Sequence, residues 1–181
     1  MTDGLLLAAG AGSRMGRPKA LVDDWLVRSI RVLTDGGCAR TTVVLGARAE
    51  EALRLLDGTG ATAVVAADWE DGMSASLRAG LTAAAGTDAD AVVVTLVDLP
   101  DVGADVVRRL LDPAPDAGTL RRAAYDGRPG HPVVLGRDHW AGVVAETDGD
   151  RGARGYLAAH QAEVVECGDL ATGRDVDVPN R

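Results

Sequence analysis

Short apolar runs alternate along the first half of the chain with stretches in which apolar positions recur every three or four residues. Leu5–Ala9, Thr41–Gly46, Ala61–Ala66 and Ala91–Leu96 are brief and mostly continuous in apolar residues, the pattern of strands buried on both faces. Between them, Trp25–Thr34, Arg48–Leu56 and Met73–Ala85 carry helical spacing, with Leu26, Ile30 and Leu33 on one face and Leu77, Leu81 and Ala84 on another. Gly36-Gly37 and Asp57-Gly58 supply the stops. After Asp98-Leu99-Pro100 the alternation loosens. Val102–Leu111 reads as a helix, Thr119–Tyr125 and His131–Leu135 as strands around a glycine-rich turn, Arg151–His160 as a further helix and Glu163–Cys167 as a short strand. Strand–helix–strand alternation implies right-handed crossovers, and so an α/β three-layer αβα sandwich around a mainly parallel central sheet. No repeat, low-complexity segment or linker divides the chain, and residues 1–181 are expected to form a single domain.

Composition changes this picture in two ways. Hydrophobic residues make up 46% of the chain, but Phe is absent and aromatics reach only 3%, so the expected core is aliphatic and a base-stacking platform for single-stranded nucleic acid is not supported. A formal net charge of −8 repels a polyphosphate backbone, which argues against a nucleic-acid polymer as partner but not against one small triphosphate accompanied by a divalent cation. Cys38 and Cys167 form no metal-binding or redox spacing. The apolar run Leu5–Ala9 breaks at Gly10, too short for a signal peptide or a membrane span, so a cytoplasmic protein without a membrane partner is expected.

In open α/β sheets ligands sit outside the carboxyl ends of the strands. Two segments with distinctive chemistry fall there. The first strand runs into Leu7-Ala8-Ala9-Gly10-Ala11-Gly12-Ser13-Arg14-Met15-Gly16-Arg17-Pro18-Lys19, where small residues let backbone N–H groups approach an anion and Arg14 and Lys19 add full charges. A Walker A loop fails because Lys19 follows Pro18 and precedes Ala20. The dinucleotide fingerprint is weak, since Met15 stands where its third glycine belongs and Gly46-Ala47-Arg48 supplies no acid after the second strand. The string instead resembles the L-x-x-G-x-x-x-R-M-G-x-x-K signature of MobA-like nucleotidyltransferases with the Rossmann-like, GT-A-like fold, matching at Leu7, Gly10, Arg14, Met15, Gly16 and Lys19. Nucleotidyl transfer spreads negative charge over a phosphorane-like state, so its site works by positioning and electrostatics. On that basis Arg14 is assigned to the β- and γ-phosphates and Lys19 to the α-phosphate, with Pro18 stiffening the loop that presents Lys19.

The second segment is Val97-Asp98-Leu99-Pro100, a carboxylate just past an apolar strand. Near the C-terminus, Arg174-Asp175-Val176-Asp177-Val178-Pro179 places Asp175 and Asp177 on one face of an extended stretch. Taken alone, a strand-end aspartate serves equally well as a helix cap or solvated turn. The two segments resemble the family's D-x-P and D-x-D-x-P elements, which imply a Mg²⁺ held by Asp98 and Asp177, with Asp175 secondary, and a catalytic set of Arg14, Lys19 and Asp98.

Gly72-Met73-Ser74-Ala75-Ser76-Leu77-Arg78-Ala79-Gly80, Gly130-His131-Pro132 and Gly149-Asp150-Arg151-Gly152-Ala153-Arg154 are similar to elements of the molybdenum cofactor cytidylyltransferase branch, as is the loop opening Leu-Ala-Ala-Gly. The resemblance implies transfer of CMP from CTP to molybdopterin, releasing pyrophosphate, with transient contact to a molybdoenzyme or its chaperone. The implied nucleotide contacts are Leu7, Ala8, Ala9, Gly10, Gly12, Ser13, Arg14, Lys19, Gly72, Ser74 and Ser76. Ser74 and Ser76 could touch the base or cap a helix; His131 could meet the acceptor or occupy a polar turn; Arg151 and Arg154 could grip the acceptor phosphate or line a helix start. Two departures, a shortened Leu21–Leu26 segment and Ala66-Ala67 before Asp68-Trp69, fall near the expected base and ribose pocket. Rival classes are a guanylyltransferase or another NTP transferase, a dinucleotide-dependent oxidoreductase, and a non-catalytic cofactor-binding or chaperone module of the same fold.

Overall fold

A computed structural model describes residues 1–177. Seven strands, β1 (Thr2–Ala8), β2 (Thr41–Leu45), β3 (Thr62–Val65), β4 (Ala91–Leu96), β5 (Leu120–Tyr125), β6 (Arg128–Gly136) and β7 (Glu163–Glu166), form one sheet in the order β3-β2-β1-β4-β6-β5-β7. Only β6 runs against the others: β1 pairs in parallel with β2 and β4, β2 with β3 and β5 with β7, whereas β6 is antiparallel to both β4 and β5. The mainly parallel α/β expectation holds.

Alternation along β1 shows why the sheet needs helices on both sides. Leu6 and Ala8 enter one apolar cluster with Ile30 and Leu33 of α1 (Trp25–Asp35), Ala52 of α2 (Ala49–Arg54) and Val107 and Leu110 of α4 (Ala104–Leu110). Leu5 and Leu7 enter a second cluster with Leu77 and Leu81 of α3 (Met73–Ala85), Trp140 and Val143 of α5 (Arg137–Glu146) and Leu157 of α6 (Arg154–Ala159). Each face is therefore dry, as the unbroken apolar strands require. Gly80 lets α3 lie close on the sheet, because a Cβ there would stand 2.6 Å from Leu5 Cδ1. Among the described residues no helix is long and apolar enough to cross a membrane.

Four elements differ from their sequence pattern. β1 begins at Thr2, because the carboxylate of Asp3 is buried yet accepts a hydrogen bond from Arg40 Nε at 3.2 Å. α2 is shorter than Arg48–Leu56, with Arg48 at φ 51° as its N-cap. The expected helix Arg151–His160 is split: Gly149–Arg151 forms a 3₁₀ turn, Gly152 turns the chain at φ 52°, and α6 starts at Arg154. Helix α5 has no counterpart in the sequence reading, since only Trp140 and Val143 of its ten residues are buried and no apolar stripe shows.

Candidate active site

The parallel pairing Leu7↔Leu96 brings the ends of β1 and β4 side by side, and the loops that follow them open onto a cavity of about 560 Å³. Its wall is the segment Leu7–Met15, with Lys19, Trp69, Gly72, Met73, Ser76, Asp98, Asp175 and Asp177 around it. This is the place the strand order leads one to expect for a ligand.

Local chemistry shapes the glycine-rich loop. Gly12 adopts φ +61°, and a Cβ there would collide with the Arg17 carbonyl oxygen, so the return of the loop on itself requires glycine. The Met15 N–H closes the turn onto the Gly12 carbonyl at 2.8 Å. Gly10 has open space where a side chain would stand, and that space is the cavity. Pro18 leads into a 3₁₀ turn over Lys19–Leu21, which buries Ala20 and Val22 and so fixes the root of Lys19.

At the end of β4 the Val97 N–H donates to the Leu7 carbonyl at 3.3 Å, and Val97 and Leu99 are buried on either side of Asp98. The C-terminal segment crosses back over this point. Thr172 donates through both its N–H and its hydroxyl to Asp101 Oδ2 at 2.6 Å, Gly173 lies against the Tyr125 ring, and the Val176 N–H donates to the Asp98 carbonyl at 3.1 Å. These contacts deliver Asp175 and Asp177; Val178 and Pro179, which complete the D-x-D-x-P string, lie outside the described residues.

The charged groups converge. Lys19 Nζ donates to Asp98 Oδ2 at 2.5 Å and to Asp177 Oδ1 at 2.8 Å, and Arg14 donates to Asp177 Oδ2 at 2.6 Å. Burial alone would lower the Lys19 pKa, but its hydrogen bonds to Asp177 and Asp98 and their charges outweigh that and raise it. The hydrogen bond from Lys19, then its charge, holds the Asp177 carboxyl below the usual carboxylate range. Asp98, Asp175 and Asp177 each offer a carboxylate oxygen within 4.8 Å of the others. Three hard oxygen donors of this kind suit a divalent cation of the magnesium or manganese type, so Asp175 takes part in the cluster that the sequence reading built on Asp98 and Asp177.

Gly72, Ser74 and Ser76 separate. Gly72 lies on the cavity wall at φ +104°, but the close approach it permits is to Gly149 and Asp150. Ser76 lines the cavity, whereas Ser74 is fully buried with no hydrogen-bond partner for its hydroxyl and does not reach it. Neither serine caps α3, whose N-cap is Gly72 with no side-chain bond. Of the three, Gly72 and Ser76 line the cavity and Ser74 does not.

A second cavity of about 310 Å³ adjoins the first across Leu7, Met73, Leu96, Asp150 and Asp175, and it gathers His131, Arg151 and Arg154. Burial, then the charges of Arg122 and Arg154, pushes the His131 imidazole down to about 4. Arg122 also lines this cavity and has no place in the sequence reading. Strand alternation could have found it: on a strand, consecutive arginines must face opposite sides of the sheet.

The chain matches the family described as MobA-like NTP transferase domain over residues 4–164. It is 36% identical to the protein named nicotine blue oxidoreductase from Paenarthrobacter nicotinovorans, across 96% of this chain and 91% of that one. It is 32% identical to the molybdenum cofactor guanylyltransferase of Rhodobacter capsulatus, across 78% of this chain and 66% of that one. Among solved structures, a nucleotidyl transferase from Methanothermobacter shares the fold with a TM-score of 0.82 at 22% identity, the match covering 98% of this chain and 92% of that one. The Mycobacterium tuberculosis H37Rv protein Rv0371c, in a manganese complex, has a TM-score of 0.73 at 26% identity, covering 98% and 90%. A strand-ordered sheet, a glycine-rich turn presenting Lys19 to Asp98, and these matches together place the chain in the MobA-like NTP transferase family.

Proposed function

We propose that this chain transfers a nucleoside monophosphate from an NTP to a phosphorylated small acceptor of the molybdopterin type, with CTP as donor and pyrophosphate as the second product. The observation that carries this reading is Lys19 Nζ, held between Asp98 and Asp177 at the wall of a cavity that the glycine-rich loop lines. A site for a neutral or monoanionic ligand has no use for a loop of approachable N–H groups, two cations and three convergent carboxylates.

Asp98 and Asp177, with Asp175 beside them, would hold a divalent cation, and the donor set fits one. When bound, such an ion neutralises phosphate charge and orients the triphosphate. The manganese complex of Rv0371c supports this assignment. The chain's own groups do the rest. The Gly10–Ser13 turn lines the cavity, and its backbone N–H groups would receive phosphate oxygens. Arg14, mostly exposed, reaches outward to the β- and γ-phosphates and holds the departing pyrophosphate. Lys19 exchanges a carboxylate partner for an oxygen of the α-phosphate, where charge builds as the acceptor phosphate attacks and the bond to the β-phosphate oxygen breaks. No base is needed, because a phosphate acceptor is already ionised at neutral pH.

For the acceptor, the Rhodobacter capsulatus relative named molybdenum cofactor guanylyltransferase supports the molybdopterin class. For the donor, Ala8-Ala9-Gly10 supports CTP through its likeness to the cytidylyl branch. The test is pyrophosphate release with each NTP, a divalent cation and purified molybdopterin. CTP-selective release is expected; release with GTP alone would move the donor assignment to the guanylyl branch.

A second reading is favoured by one finding, the 36% identity to a protein named as an oxidoreductase. Met15 interrupts the dinucleotide glycine pattern, and redox chemistry gives Lys19, Asp98 and Asp177 no task. Tight NAD(P)H binding by fluorescence, with no pyrophosphate from any NTP, would establish it in place of nucleotidyl transfer. Binding of NTP without either reaction would point to a carrier or chaperone module.

A further inference from the structure

Two neighbouring arginines on β5 are treated in opposite ways. Arg121, on one face, is buried and satisfied: its Nε donates to Glu163 at 2.7 Å, and its terminal nitrogen donates to the carbonyls of Leu110 at 3.0 Å and Pro113 at 2.6 Å. Arg122, on the other face, points into the 310 Å³ cavity, and its Nε is buried with no hydrogen-bond partner among the described residues. The register between β5 and β6 slips immediately after it, between Arg122 and Ala124, and such a bulge re-aims the side chains beside it.

Arg154, the first residue of α6, lines the same cavity, and among the described residues neither arginine forms an ion pair. Burial, and then the charge of the exposed Arg154, holds the half-buried Arg122 guanidinium below its ordinary pKa. His131 sits among them as a neutral ring. A chain of net charge −8 has carboxylates to spare, yet those that reach this cavity, Asp150 and Asp175, stand on the wall shared with the nucleotide site. A half-buried cation such as Arg122, whose Nε is buried without a partner among the described residues, is costly unless a ligand supplies the missing charge. Guanidinium forks match a phosphate through paired N–H donors.

We propose that Arg122 and Arg154 form a subsite for a phosphate dianion, the phosphate group by which the acceptor is seated, with His131 as a neutral hydrogen-bonding wall. Arg122 is the specificity-determining residue of that subsite. The inference rests on the acceptor reading given under Proposed function.

The test uses inorganic phosphate as probe, titrated by calorimetry into the full chain carrying Arg14→Ala and Lys19→Ala, so that the nucleotide loop does not compete. One phosphate is expected to bind, and adding Arg122→Gln or Arg154→Gln should weaken it at least tenfold. Arg122→Lys keeps the charge without the fork and should fall between. Folding is checked by thermal melting; if Arg122→Gln does not fold, the Arg122→Lys comparison and the ring-proton titration of His131, whose pKa should rise when phosphate binds to the wild-type chain, decide in its place. Absence of phosphate binding in the loop-substituted chain, or equal affinity with and without Arg122, overturns the proposal. In turnover, Arg122→Gln should raise the acceptor KM tenfold or more and leave the NTP KM unchanged. If the wild-type chain transfers no nucleotide at all, the functional reading fails while the phosphate titration still judges the subsite.

Discussion

Lys19 Nζ stands 2.5 Å from Asp98 Oδ2 although 79 residues separate them in the chain. The contact exists because β1 and β4 are parallel neighbours whose following loops leave the sheet at the same edge. It joins the glycine-rich loop after β1 to the acidic turn after β4.

On the proposed mechanism, Lys19→Ala removes the charge at the point where the transition state gains it. Because its carboxylate bonds raise the Lys19 pKa against the effect of burial, the ammonium is charged throughout the neutral range and is available for that task. With Arg14 and the loop N–H groups still present, kcat is expected to fall by about 10²–10³, the usual loss for one preorganised donor. The NTP KM should change by much less. Steady-state kinetics with varied NTP separates the two, and an unchanged kcat would remove Lys19 from the chemistry.

Gly10 and Gly12 should fail differently. Alanine at position 12 forces a Cβ onto the Arg17 carbonyl at a positive φ, so Gly12→Ala should lower stability by roughly 1–3 kcal/mol and reduce folded yield. Alanine at position 10 meets nothing within 4 Å, so Gly10→Ala should melt like the wild type and raise the NTP KM by intruding on the cavity. Thermal melts run beside nucleotide titrations check the pair; equal melting of the two variants would disprove the assigned conformations.

How much of this was legible in the residues depends on whether local pattern or distant contact decides each feature. Met73–Ala85 and Ala91–Leu96 could be read to their end residues, because apolar periodicity and glycine stops act locally. The Lys19–Asp98 encounter followed from strand order and the rule that ligands lie at carboxyl ends. Helix α5 is hidden because only Trp140 and Val143 of its ten residues are buried, which leaves no apolar stripe to read. The burial of Ser74 is set by its helical phase on α3, which the sequence alone left open between base contact and helix cap. The placement of Asp175 and Arg122 on one cavity is not legible in the sequence, because that cavity is assembled from β5, α6 and the C-terminal segment, which no local window contains.

Asp177→Asn removes one of the three clustered carboxylates and leaves Lys19 bonded to Asp98. The divalent-cation concentration for half-maximal activity should rise by at least about tenfold, the lower bound for changing even an outer partner of a bound metal. Manganese and magnesium titrations of the variant measure this. Since Lys19 holds the Asp177 pKa below the ordinary carboxylate value, the pairing stabilises the fold at neutral pH and is lost only as pH falls through that lowered value. The variant should therefore lose the difference in stability between neutral and strongly acid solution that this pair contributes.

His131 acts at milder acidity. Its pKa is pushed down to about 4 by burial, with Arg122 and Arg154 adding to the effect, against an ordinary value of 6.5 in the unfolded chain. Between those values the unfolded state binds a proton that the folded state refuses, so stability is whole above pH 6.5 and declines as pH falls toward 4. Burial sets the sign and the charges of Arg122 and Arg154 reinforce it, while Arg151, Asp150 and Asp175 also line the cavity. His131→Gln has no proton to take up in that window. Its melting temperature should therefore fall less than that of the wild type between pH 6.5 and pH 4.5, and the two curves should run parallel above pH 7. Added phosphate should flatten the wild-type curve by supplying the negative charge that the ring's neighbours lack. Superimposable curves for the wild type and the variant across the whole range would show that the ring is solvated and that the arginines do not act on it.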